Sequence, residues 1–194
     1  MGCSGGSSGG CCFFPYFEPG GAGIAGGCYF CFSLNTKMIV LENGEECIKF
    51  VSEIRKGDLV LTFDGKEKRF TKIIESKKNE GIFEFYEIQL KNGKNISVTG
   101  NHTMIVFDKD KKEIKFKYAC ELKEGDLLRT NDGLSEIMKI NEEMMYNSYQ
   151  ISTEKGTVLA NDVLVSTIYL EGNKNTKACN RLIDSVKIPI EIKN

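Results

Sequence analysis

Ile54-Arg-Lys-Gly57-Asp58-Leu-Val-Leu-Thr62-Phe-Asp64-Gly65 returns as Leu122-Lys-Glu-Gly125-Asp126-Leu-Leu-Arg-Thr130-Asn-Asp132-Gly133, at a constant offset of 68 residues. A second pair follows at an offset of 63: Tyr86-Glu-Ile88 with Gly93, and Tyr149-Gln-Ile151 with Gly156. Shared register of this length marks an internal repeat. It predicts one domain built from two copies of a β-unit about a pseudo-twofold axis, with the Gly-Asp turns in equivalent places. Around these repeats, short runs rich in Val, Ile, Thr, Phe and Tyr alternate with the turn dipeptides Asn43-Gly44, Asp64-Gly65, Asn92-Gly93, Asp132-Gly133 and Lys155-Gly156. That punctuation is all-β, and its even spacing argues against βαβ units. Phe70–Ile74, Phe85–Leu90, Ile137–Ile140 and Tyr149–Ser152 read as separate strands, and Val158–Tyr169 as one long run.

The whole chain of 194 residues is 41% hydrophobic and carries 26 Lys+Arg against 27 Asp+Glu. This suffices for one sizeable core. The even charge balance lacks the basic footprint of a nucleic-acid-binding module, and no apolar run is long enough to span a bilayer as a helix. The first 30 residues are different material: they hold 10 of the 20 Gly and 4 of the 8 Cys, with Glu18 as their one charged residue. Three parts follow: a flexible Gly/Cys-rich segment over 1–30, an all-β domain over 31–169, and a tail over 170–194 in which Val186, Ile188, Ile190 and Ile192 alternate as one added strand would.

Met1–Gly10 is uncharged and lacks the positive start and apolar core of a secretory signal, so the expected location is cytoplasmic. Gly2 and Cys3 partly match a lipidation pattern, but its sixth position is Gly6 rather than Ser or Thr; only such lipidation would bring a membrane into play. Gly21-Ala-Gly23-Ile-Ala-Gly26 satisfies a dinucleotide-binding pattern literally, without the strand and helix that give it meaning. Cys11, Cys12, Cys28 and Cys31 supply four thiols to a zinc ion on paper, yet adjacent cysteines are poor tetrahedral partners. The reading calls for no metal and no organic cofactor. Asp108-Lys-Asp110-Lys-Lys-Glu113 lacks the glycine of a calcium loop and reads as a solvated hairpin tip.

The chemistry centres on the single histidine, His102, in Ser97-Val98-Thr99-Gly100-Asn101-His102, and on Cys31-Phe32-Ser33-Leu34-Asn35-Thr36 at the seam where the β-region begins. A lone histidine is more often structural than reactive. Here a thiol at the seam and a hydroxyl three residues before the histidine weigh against that reading.

Together these residues resemble the hedgehog/intein (Hint) family of self-processing domains. Cys31-Phe32 followed by Asn35-Thr36 is similar to the family's N-terminal block, Thr99-x-x-His102 to its T-x-x-H block, and Gly156–Ser166 to its C-terminal β-hairpin. The resemblance covers about residues 31–169 and implies a horseshoe-like fold with pseudo-twofold duplicated β-units. It implies a single-turnover reaction in which Cys31 attacks the carbonyl of Phe30, an N–S acyl shift that turns a peptide bond into a thioester. His102 serves as acid and base at the scissile nitrogen, Thr99 holds it, and Asn101 supports the oxyanion.

The fate of the thioester separates the branches of the family. No His-Asn pair closes Leu164-Val165-Ser166-Thr167-Ile168, which argues against complete splicing. Thr167 lies near the place of the hedgehog cysteine. The loop Ser76-Lys77-Lys78-Asn79, where that branch carries an aspartate, has none, and the tail is short for sterol binding. The substrate is then the chain's own N-terminal segment, and the acceptor is water or another thiol, amine or alcohol. Cys28 is the alternative nucleophile, since Gly27-Cys28 matches the hedgehog junction, while Cys31 has the better spacing to Thr36. Two rival readings stand beside self-cleavage: a Hint-shaped binding or structural module that no longer reacts, and a zinc-bound N-terminal module on an inert β-domain.

Overall fold

Alternating apolar positions closed by Gly- and Asn-containing turns favour strands wherever a pleated face can be buried. The computed structural model describes residues 30–168. Eleven strands run in order: β1 (Lys37–Glu42), β2 (Glu45–Phe50), β3 (Leu59–Asp64), β4 (Glu67–Leu90), β5 (Asn95–Thr99), β6 (Thr103–Asp108), β7 (Glu113–Tyr118), β8 (Leu127–Thr130), β9 (Gly133–Thr153), β10 (Thr157–Ala160) and β11 (Val163–Ser166). Two 3-10 turns, Val51–Glu53 and Ala119–Glu121, interrupt them, and no α-helix occurs among the described residues. None of their helices is therefore long and apolar enough to cross a membrane. The strands pair antiparallel in the order β10-β1-β3-β4-β9-β8-β11-β6-β7, with β2 on β1 and β5 on β4.

The sequence repeat is a structural repeat. In the first copy Phe50 N–H donates to Glu53 Oε2 at 2.8 Å, and in the second Tyr118 N–H donates to Glu121 Oε2 at 3.0 Å. Asp58 Oδ2 accepts from Arg55 N–H at 2.8 Å, and Asp126 Oδ2 accepts from Lys123 N–H at 2.9 Å. Gly57 and Gly125 reach Ile73 O and Ile137 O at 2.8 and 2.9 Å from φ values of 101° and 89°, a backbone region that favours glycine. The conserved spelling Gly-Asp is thus a turn: the glycine takes the left-handed step and the carboxylate closes it.

The two copies meet along β4 and β9, which pair over most of their length. Each joins two runs that the sequence suggests are separate strands. Between them lie Lys77–Gly81, mostly charged and polar, and Glu142–Asn147, whose Met144 and Tyr146 are exposed; both lie within the long strands, with a register shift between Asn79 and Ile82. The run Val158–Tyr169 divides instead into β10 and β11, since Asn161 and Asp162 adopt φ values of 47° and 64° and form a hairpin turn without glycine. Ser76–Asn79, expected as a loop, lies within β4. Asp108 does form a solvated hairpin tip, its Oδ1 accepting from the N–H groups of Asp110 and Lys111.

The main core draws on both copies, with Val40, Val51 and Ile54 from one and Val106, Ala119 and Leu122 from the other around Phe32, Ile88, Val98 and Ile151. A smaller cluster joins Leu61 and Phe63 to Ile105, Leu159 and Leu164. Arg129 crosses between copies: its guanidinium lies 3.7 Å over the Phe63 ring and donates to Gly65 O at 2.7 Å, and burial pushes its pKa down to about 10. The equivalent turns give a stability test. Asp58→Ala and Asp126→Ala should each cost about 1 kcal/mol, with Asp126→Ala the more harmful because Lys117 Nζ also binds its two oxygens at 2.7 and 2.8 Å. Urea midpoints of the single and double variants check the order, and near-additivity is expected because the two turns share no partner.

Candidate active site

Phe30 to Ser33 enter the fold as a short extended segment between β5 and β9. Phe32 N–H donates to Tyr149 O at 2.8 Å, Tyr149 N–H returns to Phe32 O at 3.0 Å, and Ser33 N–H reaches Ser97 O at 3.1 Å. Phe32 is wholly buried, and removing its ring from water favours this placement by roughly 1.5–3 kcal/mol. Cys31, one residue earlier, is therefore carried into the interior, where its side chain is also wholly buried.

Thr99 grips Cys31 twice. Its Oγ1 accepts from Cys31 N–H at 2.9 Å, and its own N–H donates to Cys31 O at 3.0 Å. Thr99 also caps the next turn, since His102 N–H donates to Thr99 O at 2.9 Å. That turn runs close under Tyr86: a Cβ on Gly100 would stand 2.9 Å from the Tyr86 ring and 3.5 Å from Cys120 Cβ. Glycine is required there for space. The T-x-x-H spacing thus brings Thr99 to the Cys31 backbone and sends the His102 ring inward.

His102 is fully buried between the aromatic residues that flank Cys31, edge-on to Phe32 at 4.8 Å and to Phe30 at 6.5 Å between ring centroids. A carbonyl only accepts, so the 2.9 Å contact of Nε2 with Ser166 O makes Nε2 the protonated nitrogen. Nδ1 is buried without a hydrogen-bond partner. Burial lowers the histidine pKa to about 4, with the Ser166 and Cys31 backbone groups acting weakly the other way. The ring is then neutral at neutral pH, with a free lone pair on Nδ1.

The sulfur meets groups that sequence reading missed. Asn79 Nδ2 donates to Cys31 Sγ at 3.4 Å and to Ser148 Oγ at 3.4 Å. Burial pushes the Cys31 thiol up to about 11, against the opposing pull of Ser148, Asn79 and the Lys77 charge. Asn79 ends the tetrapeptide in which the hedgehog branch carries an aspartate, the one signal that pointed to it, and Ser148 lies in no motif; the register β4 to β9, in which Asn79 opposes Ser148, brings them together.

The other expected residues lie differently. Asn101 is in the turn before His102 and makes no hydrogen bond among the described residues. Thr167 is buried in a cluster of hydroxyls: its Oγ1 meets Thr153 Oγ1 at 3.0 Å and accepts from Thr153 N–H at 3.2 Å. Its neighbour Ser166, rather than Thr167, touches His102. Cys31 and Cys47 are free thiols, whereas Cys120 is disulfide-bonded. Cys28, the proposed zinc thiols Cys11 and Cys12, and the lipidation residues Gly2 and Cys3 lie outside the described residues. Among those described, no three His, Cys, Asp or Glu side chains gather as a metal site would require.

This geometry has relatives. Warthog protein 6 of Caenorhabditis elegans is 30% identical over 130 residues, covering 63% of this chain and 22% of its own length, so the chain spans about a fifth of that relative. The gp41-1 intein is 25% identical with a TM-score of 0.57, covering 71% of this chain and 98% of the intein. An intein from a hyperthermophile, at 17% identity, shares the fold with a TM-score of 0.63 over 71% of this chain and 99% of its own. The bacterial intein-like domain from Clostridium thermocellum does so at 19% identity and a TM-score of 0.56, over 72% and 99%. The Hint module model matches residues 21–177, most of the sequence, with the Cys31, Thr99 and His102 constellation inside it. The chain belongs to the Hint module family, the hedgehog and intein type of self-processing domain.

Proposed function

We propose that this domain cleaves its own N-terminal flank through a thioester at Cys31. The observation that carries the reading is the double grip of Thr99 on the Cys31 backbone, with the His102 ring packed between Phe30 and Phe32. A buried thiol, a neutral imidazole packed against the residues on either side of it, and a peptide bond whose plane is held are the parts an acyl shift needs.

His102 Nδ1 takes the proton from the Cys31 thiol, and Sγ attacks the carbonyl carbon of Phe30. A C–S bond forms, and the oxyanion collapses as the C–N bond to Cys31 breaks. The proton on His102 passes to the departing nitrogen, so the products are a Phe30 thioester and a free amine on Cys31. The low pKa of His102 suits the second role: an imidazolium that reluctantly keeps its proton is a strong acid toward a leaving nitrogen. Thr99 Oγ1, by accepting from the Cys31 N–H, fixes the scissile peptide plane while this happens. A nucleophile then attacks the thioester carbonyl and releases the segment ending at Phe30. Water, thiols, amines and alcohols all qualify chemically, and the segment itself is the substrate; no cofactor enters the scheme.

A second reading is an inert Hint-shaped module. The depth at which Cys31 is buried, and the upward push on its thiol, favour it. Intact-mass measurement of the full chain separates the two. Dithiothreitol should accelerate loss of residues 1–30, hydroxylamine should trap a hydroxamate on Phe30, and Cys31→Ala or His102→Ala should lower release at least 100-fold, in the range general acid–base catalysis supplies. Cys28→Ala should leave the fragment mass ending at Phe30; a fragment ending at Gly27 would move the nucleophile to Cys28. An unchanged mass under every condition would establish the inert module.

The pH dependence is equally specific. With His102 neutral down to about pH 4 and the thiol protonated up to about pH 11, the reacting pair keeps one protonation state between those limits, so formation of the thioester should be nearly level from pH 5 to pH 9. An inflection near the ordinary histidine value of about 6.5 would contradict the buried-neutral assignment. Stability follows the same linkage. Between about 6.5 and about 4 the unfolded chain binds a proton that the folded chain refuses, so stability falls as pH drops through that window. His102→Gln should flatten the fall, as read from urea midpoints at pH 7 and pH 4.5.

A further inference from the structure

On the far side of Cys31 from its backbone grip, the sulfur faces two neutral side chains that the acyl shift as written does not use. Asn79 Nδ2 lies 3.4 Å from Sγ and 3.4 Å from Ser148 Oγ, and both side chains are buried. Asn79 and Ser148 are register partners on β4 and β9. Regular pairing breaks immediately after them, resuming only at Ile82 opposite Tyr146, and Gly81 takes φ 133° in the gap. A bulge re-aims the side chain next to it. Here it leaves a polar residue of a solvated ribbon turned into the core, against the one thiol the reaction needs.

We propose that Asn79, backed by Ser148, is a catalytic hydrogen-bond donor to the Cys31 sulfur, stabilising the anionic sulfur both as it attacks Phe30 and as it leaves the thioester. The inference rests on the thioester reading above. In the first step the thiol proton goes to His102 Nδ1 and negative charge gathers on Sγ before the C–S bond is complete. In the second, the acceptor's lone pair forms the new bond to the Phe30 carbonyl carbon, the C–S bond breaks, and its electron pair returns to Sγ. Both moments place charge on a sulfur that burial has cut off from water, where an amide N–H aimed at it is worth most. The Ser148 hydroxyl and the Lys77 charge act on the sulfur in the same sense. Neither Asn79 nor Ser148 is a base. This face of the site therefore serves the sulfur and does not deprotonate an alcohol acceptor.

The test follows dithiothreitol-dependent release from the full chain by intact mass between pH 6 and pH 10, for the unchanged sequence and for Asn79→Ala, Asn79→Asp and Ser148→Ala. Asn79→Ala should be about tenfold slower at pH 7, and slower by a similar factor across the range, because the thiol stays protonated up to about pH 11 and loses a donor to its developing charge. Asn79→Asp keeps the size and shape, so it carries the test even where the alanine variant fails to fold. Its carboxylate repels a thiolate, and it should be slower still. Ser148→Ala should act in the same direction, since the Ser148 hydroxyl also bonds the sulfur. An Asn79→Ala profile superimposable on that of the unchanged sequence would overturn the role, as would an Asn79→Asp variant faster than it, which would mean that the side chain accepts from the thiol. Absence of release from the unchanged sequence would overturn the thioester reading itself, a result distinct from either.

Discussion

The insertion of Phe32 between β5 and β9 is the constraint on which the site depends. Phe32 bridges Val98 on one side and Tyr149 on the other, joining two strands that belong to different copies of the repeat. Its ring fills the main core, so the segment cannot slip by a residue without exposing it. The neighbours are fixed as a consequence. Cys31 must present its N–H to Thr99, its carbonyl to the Thr99 amide and its sulfur to Asn79. The Cys31 thiol is positioned by the hydrophobic burial of the residue after it.

The duplication explains how such a site arises on a symmetric scaffold. Thr36 N–H bonds to Ser33 O at 3.1 Å and His102 N–H to Thr99 O at 2.9 Å, and each turn is followed by an equivalent contact: Val51 N–H to Thr36 O at 2.8 Å and Ala119 N–H to His102 O at 2.9 Å. Ser33-Leu-Asn-Thr36 and Thr99-Gly-Asn-His102 are therefore the same turn in the two copies. One ends in threonine, whose hydroxyl stays near Ser33 Oγ at 3.4 Å, and the other in an imidazole packed between Phe30 and Phe32. The fold supplied the turn twice, and only one copy acquired an ionisable ring. Gly100 marks the same asymmetry, since the corresponding Leu34 is exposed while Gly100 passes beneath Tyr86.

Much of this was legible because repeats and turns are local. Gly57-Asp58 and Gly125-Asp126 announce their geometry in a few residues, and Thr99-x-x-His102 announces a turn with its chemistry attached. Strand ends were less legible where polarity misled: Ser76–Asn79 reads as a loop because all four side chains are polar, yet its residues pair along β9 from Ser76 opposite Ile151 to Asn79 opposite Ser148. Asn79 and Ser148 were hidden for the same reason. What brings them to the sulfur is a cross-strand register and a break in it, both tertiary facts, and the sequence showed Asn79 only as the end of the tetrapeptide where the hedgehog branch carries an aspartate. Thr167 shows the opposite case, a residue well placed by its neighbours in sequence whose hydroxyl is nevertheless taken up by Thr153.

The contact between His102 and Ser166 gives the C-terminal hairpin its part in N-terminal chemistry. Val163 to Ser166 form β11, paired to β10 on one side and to β6 and β8 on the other, so Ser166 O is a rigid backbone acceptor. Holding Nε2–H, it decides the tautomer: the proton of the neutral ring sits on the nitrogen facing the hairpin, and the lone pair on Nδ1 is left free. A backbone carbonyl does this without adding charge, which a carboxylate in the same place would do at the expense of raising the histidine pKa toward that of an ordinary imidazolium. The ring consequently remains a weak base and, once protonated, a strong acid. The end of the domain, which carries no His-Asn pair, thus sets the tautomer of the histidine packed against its beginning.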